Sequence, residues 1–393
     1  MVSTNIPLIK LGENSGSELQ FNFIQGGMGV GISQAGLASA VASEGGTGII
    51  ASVGLGALKG YFAELVQTNH YVLHQANSPK EKQLVYDQLY AISNQLALKD
   101  EIKIARQKSN GVIGVNIMHA LTDYSSLVEA AIEAEADLII SGAGIPRDLP
   151  SYLNRKKTKL VPIVSSERVA DIICKSWARL KHLPDAIIVE GPMAGGHEGF
   201  SYEQLADPEF VFHGLEKILK EVIQVAKKFE TSSKKIPVIA AGGIFYGGDI
   251  RRAVEDWHVA GVQMATRFVI TNECDADIKF KKAYFDCKKE DLRIIKSPVG
   301  MPGRAINNEF LQRVARGETI PISCPYHCLK TCIPEKSPYC IGRALSEAQR
   351  GKFDNGYVFA GANAWRCKED GIISVHDLVR KIDEEYRIGK VCD

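Results

Sequence analysis

The chain has 393 residues, 45% hydrophobic and 24% charged, the composition of a soluble globular protein with a substantial core, which excludes a disordered or fibrous chain. Its 47 Lys and Arg against 46 Asp and Glu leave a formal charge of +1, so no global field draws in nucleic acid or an anionic membrane. The first twenty residues lack a basic segment leading into an apolar core, and no stretch reaches the roughly 20 apolar residues of a membrane span. A cytoplasmic protein is expected, in which an odd count of nine cysteines points to reduced thiols or a metal site rather than a disulfide framework.

In chain order, short apolar runs occupy 21–25, 48–53, 112–117, 137–141, 160–164, 186–190, 237–241 and 261–264. Each is apolar on both faces and is followed by glycine or another turn residue, as in parallel strands covered by helices. Helical spacing at 127–135, 168–179, 212–228 and 248–257 fills gaps between them. Eight β-α units point to an α/β protein built as a (β/α)8 TIM barrel, with its site on the C-terminal face. An open doubly wound sheet is the alternative that the repeat alone does not exclude. Two segments depart from the repeat. Residues 55–110 read as a helical insertion, and 311–393 as a C-terminal extension carrying six of the nine cysteines, appended to a barrel spanning 1–310. With no Pro-, Gly- or Ser-rich linker, both are expected to pack on the barrel. The basic runs at 155–159 and 279–282 read as solvated surface.

Glycine doublets fall at or near the strand ends. Gly242-Gly243 follows the seventh run and Gln263-Met264-Ala265-Thr266 spans the end of the eighth, where this fold commonly binds phosphate through inward-pointing backbone N–H groups. Gln25-Gly26-Gly27-Met28 ends the first run as an apolar platform on which a planar ring could lie, although a turn with a core methionine has the same sequence. Asn116 closes the third run and reads equally as a turn cap or a ligand contact. His197, flanked by glycines in Glu190-Gly-Pro-Met-Ala-Gly195-Gly196-His197, is the best-placed acid–base group of the nine histidines.

Cys324, Cys328, Cys332 and Cys340 are spaced by three, three and seven residues. They could hold a [4Fe–4S] cluster or Zn2+, with His327 as a substitute ligand, or act as redox thiols, or be incidental.

Taken together, Ile24-Gln-Gly-Gly-Met-Gly-Val-Gly, Gly114-Val-Asn-Ile-Met, Ser141-Gly-Ala-Gly, Gly195-Gly-His, Ile239-Ala-Ala-Gly-Gly-Ile and Gly261-Val-Gln-Met-Ala-Thr-Arg-Phe resemble the nitronate monooxygenase (2-nitropropane dioxygenase) family and the related FMN-dependent enoyl-ACP reductases, over about residues 20 to 310. The resemblance implies a TIM barrel with non-covalent FMN. Gln25, Gly26, Gly27 and Met28 would face the flavin, Asn116 and Glu190 would bond it, and Gly195, Gly196, Gly242, Gly243, Gln263, Met264, Ala265 and Thr266 would hold its ring edge and phosphate. His197 matches the family's catalytic histidine. The implied reaction oxidises nitronates or nitroalkanes with O2 to a carbonyl compound and nitrite. Glu190 in place of a Gln and the segment Ser297-Pro-Val-Gly-Met-Pro-Gly-Arg look closer to the reductases, which implies as alternative an NAD(P)H-dependent reductase acting on an enoyl or quinone substrate. A third reading is a flavin-binding partner in a biosynthetic or electron-transfer complex. The sequence leaves the oligomeric state open.

Overall fold

The eight runs shielded on both faces form eight parallel strands: β1 (Ile24–Gln25), β2 (Gly48–Ala51), β3 (Ile113–Met118), β4 (Leu138–Gly142), β5 (Lys159–Val164), β6 (Ile187–Glu190), β7 (Val238–Ala241) and β8 (Gly261–Met264). In this computed structural model, which describes residues 4–12, 18–154 and 157–392, they pair in the order β1-β8-β7-β6-β5-β4-β3-β2. Gln263 and Met264 of β8 stand opposite Ile24 and Gln25 of β1. On the other flank of β1, Ile24 bridges Thr47, and the Gln25 N–H donates to the Thr47 carbonyl at 3.0 Å. The sheet therefore closes on itself as a (β/α)8 barrel, which leaves no edge strand in the ring.

Ile24, Ile49, Leu138, Ile140, Val161, Ile188 and Ile239 fill the barrel interior, and Ile9, Leu11 and Phe21 of the hairpin Ile9–Leu11/Leu19–Phe21 join them from outside the ring. A second, larger apolar layer lies between the strands and the helices outside them. Local sequence starts those helices. Ser166 accepts from the Val169 N–H at 3.4 Å, and Pro208 opens Pro208–Phe229 after Asp207, whose carboxylate accepts from the Glu209 N–H at 3.0 Å.

The expected insertion is helical: Leu55–Leu58, Tyr61–Thr68, His70–Gln75 and then Pro79–Lys108, thirty residues and about 45 Å long. Tyr90, Asn94, Ala97, Leu98, Glu101, Ile102 and Ala105 make one buried stripe at helical spacing. Buried Glu101 accepts from the Ala35 N–H at 2.7 Å, at the start of Ala35–Ser43, and pairs with Lys59 at 2.6 Å. Asn94 accepts from the Gly56 N–H at 2.8 Å and donates to Asp123 at 2.7 Å, joining the insertion to the loop after β3.

Past residue 311 the chain folds back onto the C-terminal rim of the barrel. Val358–Phe359 pairs with Pro302–Ile306, which also pairs with Leu292–Lys296 and with Gly196–His197. The last helix, Val375–Ile388, packs beside Gly247–Glu255, and its Glu385 meets buried Arg267 just after β8.

Both basic runs are solvated only in part, with Lys157, Lys279 and Lys282 exposed as expected. Arg155 and Lys156 lie outside the described residues, while Thr158 and Lys159 are buried where β5 begins. In the second run Lys281 is buried, because its ammonium donates to the carbonyls of Thr271 (2.8 Å) and Asn272 (3.1 Å) and its stem covers apolar surface. Among the described residues no helix is long and apolar enough to cross a membrane.

Removing the Arg267 guanidinium leaves Asp370 and Glu385 buried without their main partner. Arg267→Leu is therefore expected to lower stability by about 3–5 kcal/mol, measured by urea unfolding. A loss below about 1 kcal/mol would show that the rim is held by packing alone.

Candidate active site

The C-terminal ends of the strands surround a cavity of about 460 Å3, within the size range of small-molecule and cofactor sites. Gly26, Gly27 and Met28 after β1, Asn116 and Met118 of β3, Glu190 at the end of β6, Gly195 to His197 beyond it, Gly242 and Gly243 after β7, and Gln263 to Thr266 around the end of β8 all line it. Glycine is required at several of these points. Gly242 and Gly243 both have left-handed backbone (φ 87° and 88°), which turns the chain sharply after β7. A Cβ on Gly195 would stand 2.5 Å from the Gly361 nitrogen, so only glycine admits the C-terminal chain here.

One expected ligand contact is placed elsewhere. Gln25 does not line the cavity. Its fully buried amide accepts from the Ile49 N–H at 3.0 Å and donates to the Gly26 carbonyl at 2.5 Å, so it ties β1 to β2 inside the barrel. Gln263 does face the cavity, and its buried Oε1 has no hydrogen-bond donor among the described residues. A buried acceptor left open beside a glycine-lined cradle is suited to a polar ring edge of a bound cofactor.

His197 is held by a strand pairing that its own loop does not reveal. Gly196–His197 runs antiparallel to Gly303 and Arg304, and the Glu198 N–H donates to the Pro302 carbonyl at 2.9 Å. The imidazole Nε2 lies 2.8 Å from the Ser297 hydroxyl, and the ring meets Phe359 edge-on at 5.1 Å. Burial without an acidic partner pushes its pKa down to about 4, so the ring is neutral at neutral pH. Burial acts in the opposite sense on the neighbouring carboxyls. Glu190 is pushed up to about 7, and Glu198, only 1% exposed, up to about 9. Arg304 opposes the second shift only in part. Its guanidinium bonds the carbonyls of Ala194 (3.1 Å) and Pro192 (2.6 Å) and stands 3.5 Å from Glu198, whose oxygens have no hydrogen-bond donor among the described residues.

Ser297, Arg304, Phe359 and Gly361 were not singled out individually by sequence reasoning, because each reaches the site through pairing or packing from a distant part of the chain, and neither was Glu198, which follows His197 but whose burial its loop does not reveal. The Ser297 segment stood out only as a motif. Of the four clustered cysteines, Cys328 alone lines the cavity. Among the described residues no group of three His, Cys, Asp or Glu is arranged to hold a metal ion, as either the [4Fe–4S] or the Zn2+ reading of the cysteine spacing requires.

A parallel barrel with a neutral histidine in a glycine-lined cavity fits an enzyme site on a scaffold that hosts many chemistries, and comparison with known proteins narrows the class. The sequence profile of the nitronate monooxygenase family matches residues 15–385. The chain belongs to the nitronate monooxygenase family, and it is an oxidoreductase. A probable nitronate monooxygenase of Staphylococcus saprophyticus is 26% identical over 301 residues, 75% of this chain and 78% of the relative. One from Staphylococcus aureus matches at 26% over 49% of each chain, so the alignment spans about half of that relative. Among solved structures, FabK from Thermotoga maritima aligns with a TM-score of 0.65 at 24% identity, covering 94% of this chain and 93% of its own. The nitroalkane oxidase from Streptomyces ansochromogenes aligns with the same score at 21% identity, covering 94% and 96%. At these identities the structures establish the shared fold.

The raised carboxyl of Glu198 carries a stability signature. The unfolded chain releases this proton near the ordinary value of 4.5 whereas the folded chain keeps it to about 9, so stability is full below 4.5 and falls as pH rises through that window. Glu198→Gln removes the dependence. Relative to wild type the variant is expected to gain more than about 1 kcal/mol between pH 5 and pH 8, measured by denaturant unfolding at both values. No relative change would mean that Glu198 is ionised against Arg304 throughout.

Proposed function

We propose that the cavity binds FMN and that the chain oxidises nitronates or nitroalkanes with O2, yielding a carbonyl compound and nitrite. The observation that carries this reading is the neutral, buried His197 imidazole facing a glycine-lined cavity that also contains the open acceptor of Gln263. Gly26, Gly27 and Met28 offer an apolar surface for a ring; Gly243 and the segment Gln263 to Thr266 offer backbone N–H groups for a phosphate. Asn116 can bond the ring edge, as can Glu190, which is a hydrogen-bond donor below about pH 7. FMN, when bound, supplies the redox chemistry. What the chain's own residues supply is orientation, exclusion of water and a base. A neutral imidazole can take the α-proton of a neutral nitroalkane, and Ser297 fixes the ring's direction.

The second reading, an NAD(P)H-dependent reductase of an enoyl or quinone substrate, is favoured by Glu190, whose carboxyl in the cavity wall keeps its proton up to about pH 7 and could donate it to a product. Nitronate-driven O2 uptake without NAD(P)H supports the first reading, and NAD(P)H consumption without a nitronate supports the second. Absence of FMN from the purified protein, judged by its visible spectrum, would overturn both.

His197→Ala is expected to retain FMN and to lose about 10²–10⁴-fold in kcat with neutral nitroalkanes, with a smaller loss on preformed nitronates, which need no proton removed. Wild-type turnover in the variant would remove His197 from the mechanism. Because protonation of the base begins only near pH 4, the acid limb of kcat/KM on neutral nitroalkanes is expected near 4 and not near the ordinary histidine value of 6.5.

A further inference from the structure

The cavity wall is chemically divided. Ser165, Glu190, His197, Gln263 and Thr266 all stand on the side of β5 to β8. In the closed ring of eight strands, β2, β3 and β4 lie across from β6, β7 and β8. They and their turns contribute Val53, Met118 and Ile145 to the wall, and the C-terminal extension completes this side with Cys328, Leu329, Ile341 and Leu345. Among the described residues, Asn116 and the weakly polar Cys328 thiol are the only hydrogen-bonding side chains that β1 to β4 and this part of the extension add to the lining.

The extension is firmly seated here. Leu329 bridges Leu121 in the loop after β3; on either side of it, the Thr122 N–H donates to the Cys328 carbonyl at 3.3 Å and the Lys330 N–H to the Ala120 carbonyl at 2.9 Å. Helix Ile341–Gln349 is tied at its far end, where the Gln349 amide donates to the carbonyls of Gly31 (3.3 Å) and Asp275 (3.2 Å). So anchored, the helix turns Ile341, Gly342 and Leu345, neighbours on one helical face, into the cavity. Glycine is disfavoured in a helix relative to alanine, and its use commonly answers to a left-handed backbone or a crowding neighbour. Gly342 has neither. Its φ is not in the left-handed region, and a Cβ built on it meets no described atom within 4 Å. A side chain at this position would take up cavity space beside Ile341 and Leu345.

We propose that the substrate of this cavity carries an unbranched aliphatic chain that lies across the ring from His197, against Met118, Ile145, Leu329, Ile341 and Leu345, and that Gly342 sets the length of chain accepted. Within the nitronate-oxidising function proposed above, on which this inference rests, the favoured substrates are the nitronates of long primary nitroalkanes over that of nitroethane. A wall so poor in hydrogen-bonding side chains gains by taking methylenes out of water and offers little to a polar or charged substituent, whose desolvation it would not repay. The reacting carbon must reach His197 on the polar side. The substrate therefore spans the mouth of the barrel, with its head at the end of β6 and its tail against the extension, and the extension acts as a determinant of specificity.

The test uses the full FMN-containing protein and the nitronates of straight-chain primary nitroalkanes from nitroethane to 1-nitrooctane, with O2 uptake as the readout. In the wild type, kcat/KM is expected to rise by up to about fourfold with each added methylene until the chain fills the chamber. Gly342→Leu, which fills part of it, should lower the ratio of the octyl to the ethyl kcat/KM by at least about tenfold. Leu345→Asn, which sets an amide in the chamber, should lower the same ratio and serves if the first variant fails to fold. A wild-type series that is flat or falls from nitroethane onward would overturn the proposal. So would a rising series whose slope both folded variants retain, which places the chain on the Phe280 and Phe359 side of the cavity. If no nitronate drives O2 uptake, the nitronate function itself has failed, and calorimetric binding of 1-alkanols from ethanol to 1-octanol decides the matter by the same criteria: affinity that tightens with length in the wild type and loses that trend in the variants upholds the aliphatic chamber, and any other pattern overturns it.

Discussion

Arg267 is fully buried, and a buried guanidinium is tolerable only if its donors are matched. Five hydrogen bonds do this: two to Asp370, two to Glu385 and one to the Phe245 carbonyl. Those partners come from the loop after β7 and from two places in the last quarter of the chain. Glu385 also accepts from the Gly247 N–H at 3.1 Å, at the start of the helix after β7. One charge placed three residues beyond the end of β8 therefore fixes the spacing between the two glycine-rich turns that line the cavity, and it obliges the C-terminal helix to close against them. The extension is part of the rim.

The same logic extends around the mouth. Phe359, Ala360 and Gly361 line the cavity from the extension, and the Tyr284 hydroxyl bonds the Phe359 carbonyl at 2.6 Å. The strand Pro302–Ile306 pairs along one edge with both that segment and Gly196–His197, so the orientation of His197 depends on residues more than a hundred positions away. On the opposite side the insertion and the cysteine segment brace each other through Tyr90 and Tyr326. The two departures from the β-α repeat thus meet each other as well as the barrel.

How much of this could be read in the sequence follows from the range of the interactions concerned. The eight strands announced themselves because burial on both faces is written locally, as short apolar runs ending in glycine, and the glycines marked the cavity because a tight turn constrains only its own residues. Gln25 was misplaced: alternation within a two-residue strand cannot tell an inward amide that bonds Ile49 from one that faces the mouth. Lys159 and Lys281 were read as surface because a charged run gives no sign of the carbonyls or apolar walls that surround its members. Ser297, Glu198 and Arg304 were out of reach for a related reason. Their roles arise from an antiparallel pairing between chain segments about a hundred residues apart, which no periodicity encodes.

The electrostatics of the cavity then acquire a simple direction. Glu190 lines the cavity together with His197, Glu198 follows His197 in the chain, and Arg304, paired opposite Gly196, is turned toward the carbonyls of Ala194 and Pro192. With His197 neutral and Glu198 protonated at neutral pH, the wall carries little fixed charge of its own. Two buried carboxylates would repel one another, and burial raises both carboxyls toward their protonated forms although Arg304 stands beside Glu198. Glu190 is the exception in degree, since its ordinary value is raised only to about 7. Its ionisation would place a negative charge in the cavity wall and raise Glu198 further, because the two carboxyls repel. Of the groups in this wall, Glu190 is therefore the one through which a change of pH near neutrality reaches the reacting end of the cavity.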